Sequence, residues 1–236
     1  MVNLLPLDEG ERVTSILPVS EYRDDRYILM ATAQGTVKKT QLSAFARQRS
    51  VGLIAVGLDE GDYLVRTAIT DGKSDVMLVA NSGKAIRFNE EDVRPMGRTA
   101  RGVRGIRLQP GQRVISLILP SSEGCLLTAS EKGYGKQTRF DEFSTQGRGG
   151  QGVIAMQTSE RNGELVGAAL VSPGDEIMLI SNGGVLVRIA TDEISTLGRN
   201  TQGVRVIRLR TEERLITVER IVEREDVALE PETDED

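Results

Sequence analysis

The sequence predicts an all-β protein built from repeated four-stranded blades, and three observations carry that prediction. Gly35, Gly83, Gly133 and Gly184 recur at steps of 48, 50 and 51 residues, inside the equivalent stretches 28–39, 76–87, 126–137 and 177–188. A second set, Gly52, Gly102, Gly152 and Gly203, keeps steps of 50, 50 and 51. Between the two marks lie short apolar or β-branched runs bounded by turn residues. Two independent marks with one period signify one supersecondary unit repeated, as in a propeller or a solenoid. Such a chain offers no expectation of a single deep active site.

The repeat begins with a continuous apolar run, as in Ile28-Leu29-Met30, Val76-Met77-Leu78-Val79 and Ile177-Met178-Leu179-Ile180. Runs of this kind suit strands buried on both faces. Hairpin residues follow at the first glycine: Ala33-Gln34-Gly35, Asn81-Ser82-Gly83, Glu131-Lys132-Gly133 and Asn182-Gly183-Gly184. They tolerate the positive φ that tight turns need. The second strand is basic, with Lys38, Lys39, Arg87, Lys136 and Arg188. A polar, arginine-bearing loop leads to the second glycine. A third strand follows at 53–56, 103–108, 153–156 and 204–209, and a turn leads to a fourth at 63–65, 114–115, 165–166 and 215–216. Four short strands in a unit of this length make a propeller blade.

The chain opens mid-repeat: 2–7 matches a third strand, Asp8-Glu9-Gly10-Glu11 the next turn, and 13–17 a fourth strand. This predicts about four full repeats plus the second half of a preceding one, within a fragment of a longer protein. The orphan strands would otherwise complete a neighbouring blade by exchange.

Composition bounds the function. The 236 residues are 39% hydrophobic and 28% charged, which suits a soluble repeated core. No run of eighteen apolar residues exists, so no membrane helix is expected, and the first residues lack the basic flank and apolar region of a signal peptide. One cysteine, Cys125, cannot form an intrachain disulfide and fits a reducing cytoplasm. There is no histidine, which removes His-based acid–base chemistry, the triads that use it, and most zinc sites. No cofactor or metal is expected.

The formal charge of −5 divides unevenly. Residues 222–236 hold eight acids and one base, seven negative charges net, so residues 1–221 hold 29 bases and 27 acids. A mildly basic body thus carries a strongly acidic tail, of a composition that is usually solvated and disordered. Solubility is the ordinary role of such a tail; competition with a polyanion for the basic body is the sharper one.

Three motif matches dissolve on inspection. Gly147-Arg148-Gly149-Gly150-Gln151-Gly152 satisfies G-x-G-x-x-G, yet a β-type run follows where a dinucleotide fold needs a helix. Gly72-Lys73-Ser74 resembles the end of a P-loop, but Thr67 stands where that loop needs glycine. The adjacent acids Asp24-Asp25 and Glu90-Glu91-Asp92 lack metal-ligand spacing.

The arginines are more specific. Four residues before the second glycine stand Arg98, Arg148 and Arg199; in the first full repeat the slot is Gln48, flanked by Arg47 and Arg49, and Arg101 adds a further charge. Stacked blades would array these cations along one rim, near Lys38, Lys39, Lys84, Arg87, Lys136, Arg139 and Arg188. Any single arginine most often serves solubility. Recurrence at one slot argues for contact with the phosphates of double-stranded DNA. With 3% aromatics and no recognition-helix pattern, stacking and base readout give way to phosphate contact with bending of the duplex.

Several segments, among them Val2-Asn-Leu-Leu-Pro-Leu7, Ala33-Gln-Gly-Thr-Val-Lys-Lys-Thr40, Gly102-Val-Arg-Gly-Ile-Arg-Leu108, Glu131-Lys-Gly-Tyr-Gly-Lys136 and Gly198-Arg-Asn-Thr-Gln-Gly203, resemble the C-terminal domain of bacterial DNA gyrase A, part of a type IIA topoisomerase. The acidic tail belongs to that pattern too. The resemblance implies a β-pinwheel, whose propeller-like blades exchange a strand with their neighbours and which wraps duplex DNA around its basic rim. It implies a non-catalytic, monomeric module that works with the rest of gyrase A and with gyrase B in ATP-dependent negative supercoiling, in the bacterial cytoplasm at the nucleoid, with the tail modulating wrapping. The family's signature box reads Gln-Arg-Arg-Gly-Gly-Lys-Gly and lies in the first blade. Gln146-Gly147-Arg148-Gly149-Gly150-Gln151-Gly152 is similar but exchanges two cations and lies in a later blade, so it is read as a degenerate equivalent, with the true box upstream of Met1. Two rivals stand beside this reading: the related C-terminal domain of topoisomerase IV, and a propeller that serves as a protein-interaction platform.

Overall fold

The structure, a computed structural model, describes residues 13–47 and 52–221. Each predicted hairpin forms. The first and second strands pair as β1 (Tyr27–Thr32) with β2 (Thr36–Gln41), β4 (Asp75–Ala80) with β5 (Lys84–Asn89), β8 (Cys125–Ser130) with β9 (Tyr134–Arg139), and β12 (Glu176–Ser181) with β13 (Leu186–Ala190). The fourth strands are β3 (Leu64–Thr70), β7 (Val114–Ile118), β11 (Leu165–Val171) and β15 (Leu215–Ile221), longer than the sequence suggests. The third strands shrink to two residues each: β6 (Val103–Arg104), β10 (Val153–Ile154) and β14 (Val204–Arg205).

The sheets run β3-β1-β2-β6, β7-β4-β5-β10, β11-β8-β9-β14 and β15-β12-β13. In each four-stranded blade the outer strand therefore comes from the following repeat. Arg104 pairs with Thr36 and Val103 with Val37, although the whole β4–β5 hairpin lies between them in sequence. Strand exchange of this kind is what the resemblance implies. The fourth strands pack against one another in series, β3 on β7, β7 on β11 and β11 on β15, and so form the inner side of the arrangement.

The unbroken apolar runs have a simple cause. Successive residues of a strand face opposite sides, and here both sides meet a neighbouring blade. Val76 and Leu78 of β4 face a core shared with Leu29, Ala31 and Val37 of the first blade. Met77 and Val79 face a second core with Leu126, Phe140 and Phe143 of the third. A third core joins Leu127 and Ala129 to Leu179, Leu215 and Val218. Polar spokes hold the inner ends in register: the carbonyls of Ala33, Asn81 and Glu131 accept from the amides of Val114, Leu165 and Leu215, the first residues of the next blade's fourth strand.

The exchanged strand also explains the glycine period. Its backbone turns over the first glycine of the preceding hairpin, where the Gly83 carbonyl accepts from the amides of Ala155 and Met156. A Cβ on Gly83 would stand 2.1 Å from the Met156 carbonyl oxygen, and one on Gly152 would stand 2.3 Å from that of Ala85. Both residues also hold positive φ, 81° and 69°, a region costly for any residue with a Cβ.

Two strand expectations fail for the same reason. Residues 53–56 form no strand; no hairpin pairs with this segment among the described residues. Residues 13–17 also form no strand, though Ser15 Oγ lies 2.8 Å from Thr67 Oγ1 beside β3. The expected strand 2–7 and turn 8–11 lie outside the described residues, as does the tail at 222–236. Four short 3-10 turns, Leu42–Phe45, Glu90–Asp92, Phe140–Glu142 and Thr191–Glu193, stand where the sequence suggested loop alone.

Candidate nucleic-acid interface

Because the fourth strands lie innermost, the exchanged strands β6, β10 and β14 and the loops that lead to them form the outer edge. Those loops carry the recurrent arginine slot. Each follows a 3-10 turn and runs along the second strand of the preceding blade: the amides of Met96, Gln146 and Leu197 donate to the carbonyls of Lys39, Arg87 and Gln137. The slot arginines then reach sideways along the edge. Arg148 donates to the Asp92 carbonyl at 2.9 Å and to the Arg104 carbonyl on β6 at 3.1 Å. Arg199 donates to the Ile154 carbonyl on β10 at 3.2 Å. These two side chains therefore latch successive exchanged strands while keeping further N–H donors of the guanidinium fork in reserve. Arg98 is half-buried, and its side chain has no partner among the described residues.

The box-like loop lies on the same edge. Gln146 bonds the Arg87 carbonyl, Gly149 donates to the Gly105 carbonyl, and the Gly150 carbonyl accepts from Arg107. Gly147 is open, and Gln151 and Gly152 lead into β10. Of the glycines in this loop, Gly152 alone is closely packed, against the Ala85 carbonyl of β5.

The other cations fall into distinct places. Arg47 is exposed and unpaired among the described residues; Arg49 lies outside them. Arg101 is ion-paired with Asp59 at 2.6 Å, Arg139 with Asp141 at 2.8 Å, and Arg188 with Glu176. Lys84 is half-buried at the start of β5. Arg87 binds Asp75 at 2.8 Å and also donates to the carbonyls of Phe140 and Phe143, so it ties the second blade to the third.

Three expected rim lysines are not on the rim. Lys38, Lys39 and Lys136 are 1%, 3% and 0% exposed. Lys38 Nζ donates to the carbonyls of Ala55 and Arg98. Lys136 Nζ donates to those of Gly198 at 2.5 Å and Arg199 at 2.7 Å. Each fixes, from beneath, the loop that presents a slot arginine. Burial, with Arg98 contributing, brings the Lys38 pKa down to about 8, and burial, opposed by Glu142 and aided by Arg199, brings that of Lys136 down to about 8. Lys39 donates to the Glu90 carbonyl at 2.7 Å, beside the buried Glu90 carboxylate at 3.8 Å and over the Tyr27 ring. It is held below the usual lysine range by burial, against the pull of Glu90. In the first and third blades the exchanged strand and the loop before it cover the second strand, so Lys38, Lys39 and Lys136 run inside, whereas Arg139 and Arg188 stay exposed.

The structure brings forward other cations. Arg104 and Arg107 follow Gly102 by two and five residues, Arg205 and Arg208 follow Gly203 by the same steps, and all four are exposed. This repeat-locked pair was visible in the sequence, within the segments assigned to third strands. Among the described residues no group of three or more metal-ligating side chains comes together.

Comparison with known proteins agrees with this geometry. The family model described as the DNA gyrase C-terminal domain, beta-propeller, matches four times, at residues 26–71, 74–121, 126–172 and 175–221, one match per blade. DNA gyrase A of Salmonella typhimurium is 51% identical over 94% of the chain, and that of Klebsiella oxytoca 52% identical over the same share. The chain spans about a quarter of the length of these relatives (25% and 26%). Among solved structures, the C-terminal domain of DNA topoisomerase IV superposes with a TM-score of 0.88 at 27% identity, covering 93% of this chain and 69% of that one. The DNA gyrase A C-terminal domain superposes with a TM-score of 0.83 at 27% identity, covering 94% and 74%.

Proposed function

The chain belongs to the family of DNA gyrase C-terminal β-propeller domains, and on that premise we propose that it is a non-catalytic module that binds double-stranded DNA along its outer edge and bends it. The observation that carries this reading is the repeated presentation of Arg98, Arg148 and Arg199 on loops fixed to the second strands of successive blades, with Arg148 and Arg199 also latched to exchanged strands. Arg47, Arg101, Arg104 and Arg205 extend the cationic edge. Phosphate neutralisation supplies the affinity, and several contacts in series offset the cost of bending a stiff duplex. In this reading residues 1–221 form the blade body and 222–236 the acidic tail. The parent protein is a gyrase A acting with gyrase B in the bacterial cytoplasm, at the nucleoid, where wrapping supports negative supercoiling.

Identity of about half to gyrase A proteins favours gyrase; the solved topoisomerase IV and gyrase A domains, each 27% identical, do not separate the two. The test replaces Arg47, Arg98 and Arg104 by glutamine, since their guanidinium groups have no partner among the described residues. Duplex affinity should fall, and the slope of log affinity against log salt should flatten by roughly 0.9 for each lost contact. Unchanged affinity and slope would remove the edge as the binding surface. Absence of any duplex affinity at moderate salt would favour the protein-interaction platform.

A further inference from the structure

In the third blade the repeated pair Arg205 and Arg208 meets two residues that the repeat does not supply, Tyr134 and Arg161. Tyr134 opens β9 and lies opposite Arg205 of β14 in the strand register. Its ring is almost wholly buried, 6% exposed. Its hydroxyl accepts from Arg205 at 2.9 Å and from Arg161 Nε at 3.4 Å. Both guanidinium groups lie over the ring, 5.3 and 5.0 Å from its centroid. The donors from Arg161 and Arg205 hold the phenol below its usual range.

These side chains, with Arg208, line an open cavity of about 570 Å³ whose wall contains no acidic residue. Among the described residues Arg208 has no hydrogen-bond or ion-pair partner, and Arg161 and Arg205 use one N–H donor each on Tyr134. An adjoining hollow shares Tyr134 and the three arginines and adds Lys132, Arg210 and Arg214 against Glu212 and Glu213. Glu213 is engaged by Ser181 and by the Arg210 amide.

Three cations lining one cavity with no acid in its wall repel one another, and an anion with several acceptor oxygens would satisfy their open donors together. The equivalent positions elsewhere do not build this site. They hold Thr36, Asp59, Arg104 and Arg107 in the first blade, and Lys84, Gln109, Ile154 and Gln157 in the second, so the first blade keeps both exchanged-strand arginines but lacks the tyrosine and the third cation. The cluster is a single feature laid on the periodic edge. We propose that the Tyr134–Arg161–Arg205–Arg208 cavity is a binding site for a phosphate group. Tyr134 splays and holds two guanidinium forks, and Arg208 closes the third side. The phosphate comes either from the backbone of a bound duplex, a source that rests on the DNA-binding reading, or from a free polyphosphate, which does not.

The test follows the arginine Nε–H signals of the whole chain by NMR. Two probes are added separately: tripolyphosphate, and a duplex of about 40 base pairs, well below one persistence length. Saturable shifts at Arg161 and Arg205 with either probe are expected. R205Q and R161Q should each weaken that probe by about tenfold, as loss of a charge-assisted contact to phosphate does, while R23Q, at an arginine paired with Asp25 away from the edge, leaves it unchanged. Y134F keeps the ring and removes the acceptor, and should weaken binding less than either arginine change. Response to duplex alone, with the salt slope reduced by roughly one in R205Q, assigns the site to backbone phosphate; response to tripolyphosphate alone assigns it to a free polyphosphate. If neither probe moves these signals, or if R23Q weakens binding as much as R205Q, the proposal is overturned. A chain that binds no duplex in any form removes the DNA reading while the tripolyphosphate arm still decides the cavity.

Discussion

A methyl group on Gly83 would collide with the Met156 carbonyl at 2.1 Å, whereas one on Gly184 would meet nothing within 4 Å. Both glycines hold nearly the same φ, 81° and 77°. The pair therefore separates backbone strain from exclusion of the exchanged strand. Gly184→Ala should cost about 1–2 kcal/mol from positive φ alone. Gly83→Ala should cost several kcal/mol more or displace β10, which thermal unfolding of the two variants will show; equal losses would sink the packing argument. Lys136 makes a second residue-scale case. Burial holds its pKa at about 8 in the fold, against 10.5 for an ordinary lysine. Below pH 8 both states hold the proton and burial of the charge is a constant penalty. Between about pH 8 and 10.5 the unfolded chain binds more protons, so stability rises with pH across that window. Compared with Lys136→Met, the wild type should gain up to roughly 3 kcal/mol between pH 7 and pH 10, read from chemical denaturation at the two pH values. A gap that stays constant would mean that the carbonyls of Gly198 and Arg199 hold the ammonium at its ordinary pKa.

At the scale of elements, β13 differs from its counterparts because no exchanged strand pairs with it among the described residues. Leu186 is 53% exposed, whereas the equivalent Val37 and Ala85 are fully buried. Unpaired edges open first. Hydrogen exchange should therefore run at least about tenfold faster along β13 than along β5 and β9, and matched protection in all three would contradict the edge assignment. The donor side shows the same deficit: Ile54, equivalent to Ile154 of β10, is 67% exposed and in no strand. Sequence periodicity made the hairpins legible, since a double glycine mark and an apolar run each register a local constraint. It could not show that a strand needs a host, so 53–56 read like its three paired equivalents. Nor could it show that a basic second strand is roofed by an exchanged strand, so Lys38, Lys39 and Lys136 read as surface. Arg104 and Arg205 were legible as repeats but hidden within segments already assigned to packing.

On the scale of the whole molecule, the body and the tail carry opposite charge, with 29 bases against 27 acids in residues 1–221 and one base against eight acids in 222–236. The latched loops hold Arg148 and Arg199 on successive blades, so a duplex that follows the edge gains contacts with each blade it passes. Short duplexes reach few of these cations and long ones reach more, at a bending cost that grows smoothly with the arc. Duplex affinity should accordingly climb with length from about 20 toward about 150 base pairs and fall steeply with salt. Deleting 222–236 takes the formal charge from −5 to +2. That change should raise duplex affinity at low salt and lose its effect as the Debye length shrinks to about 3 Å near 1 M. The two measurements interlock. If deletion raises affinity equally for every length, the tail acts through net charge. If it raises affinity only for long duplexes, the tail competes for the same run of edge cations that bending uses. Affinity independent of length in both chains would mean that one local site, and not the series of latched loops, holds the DNA.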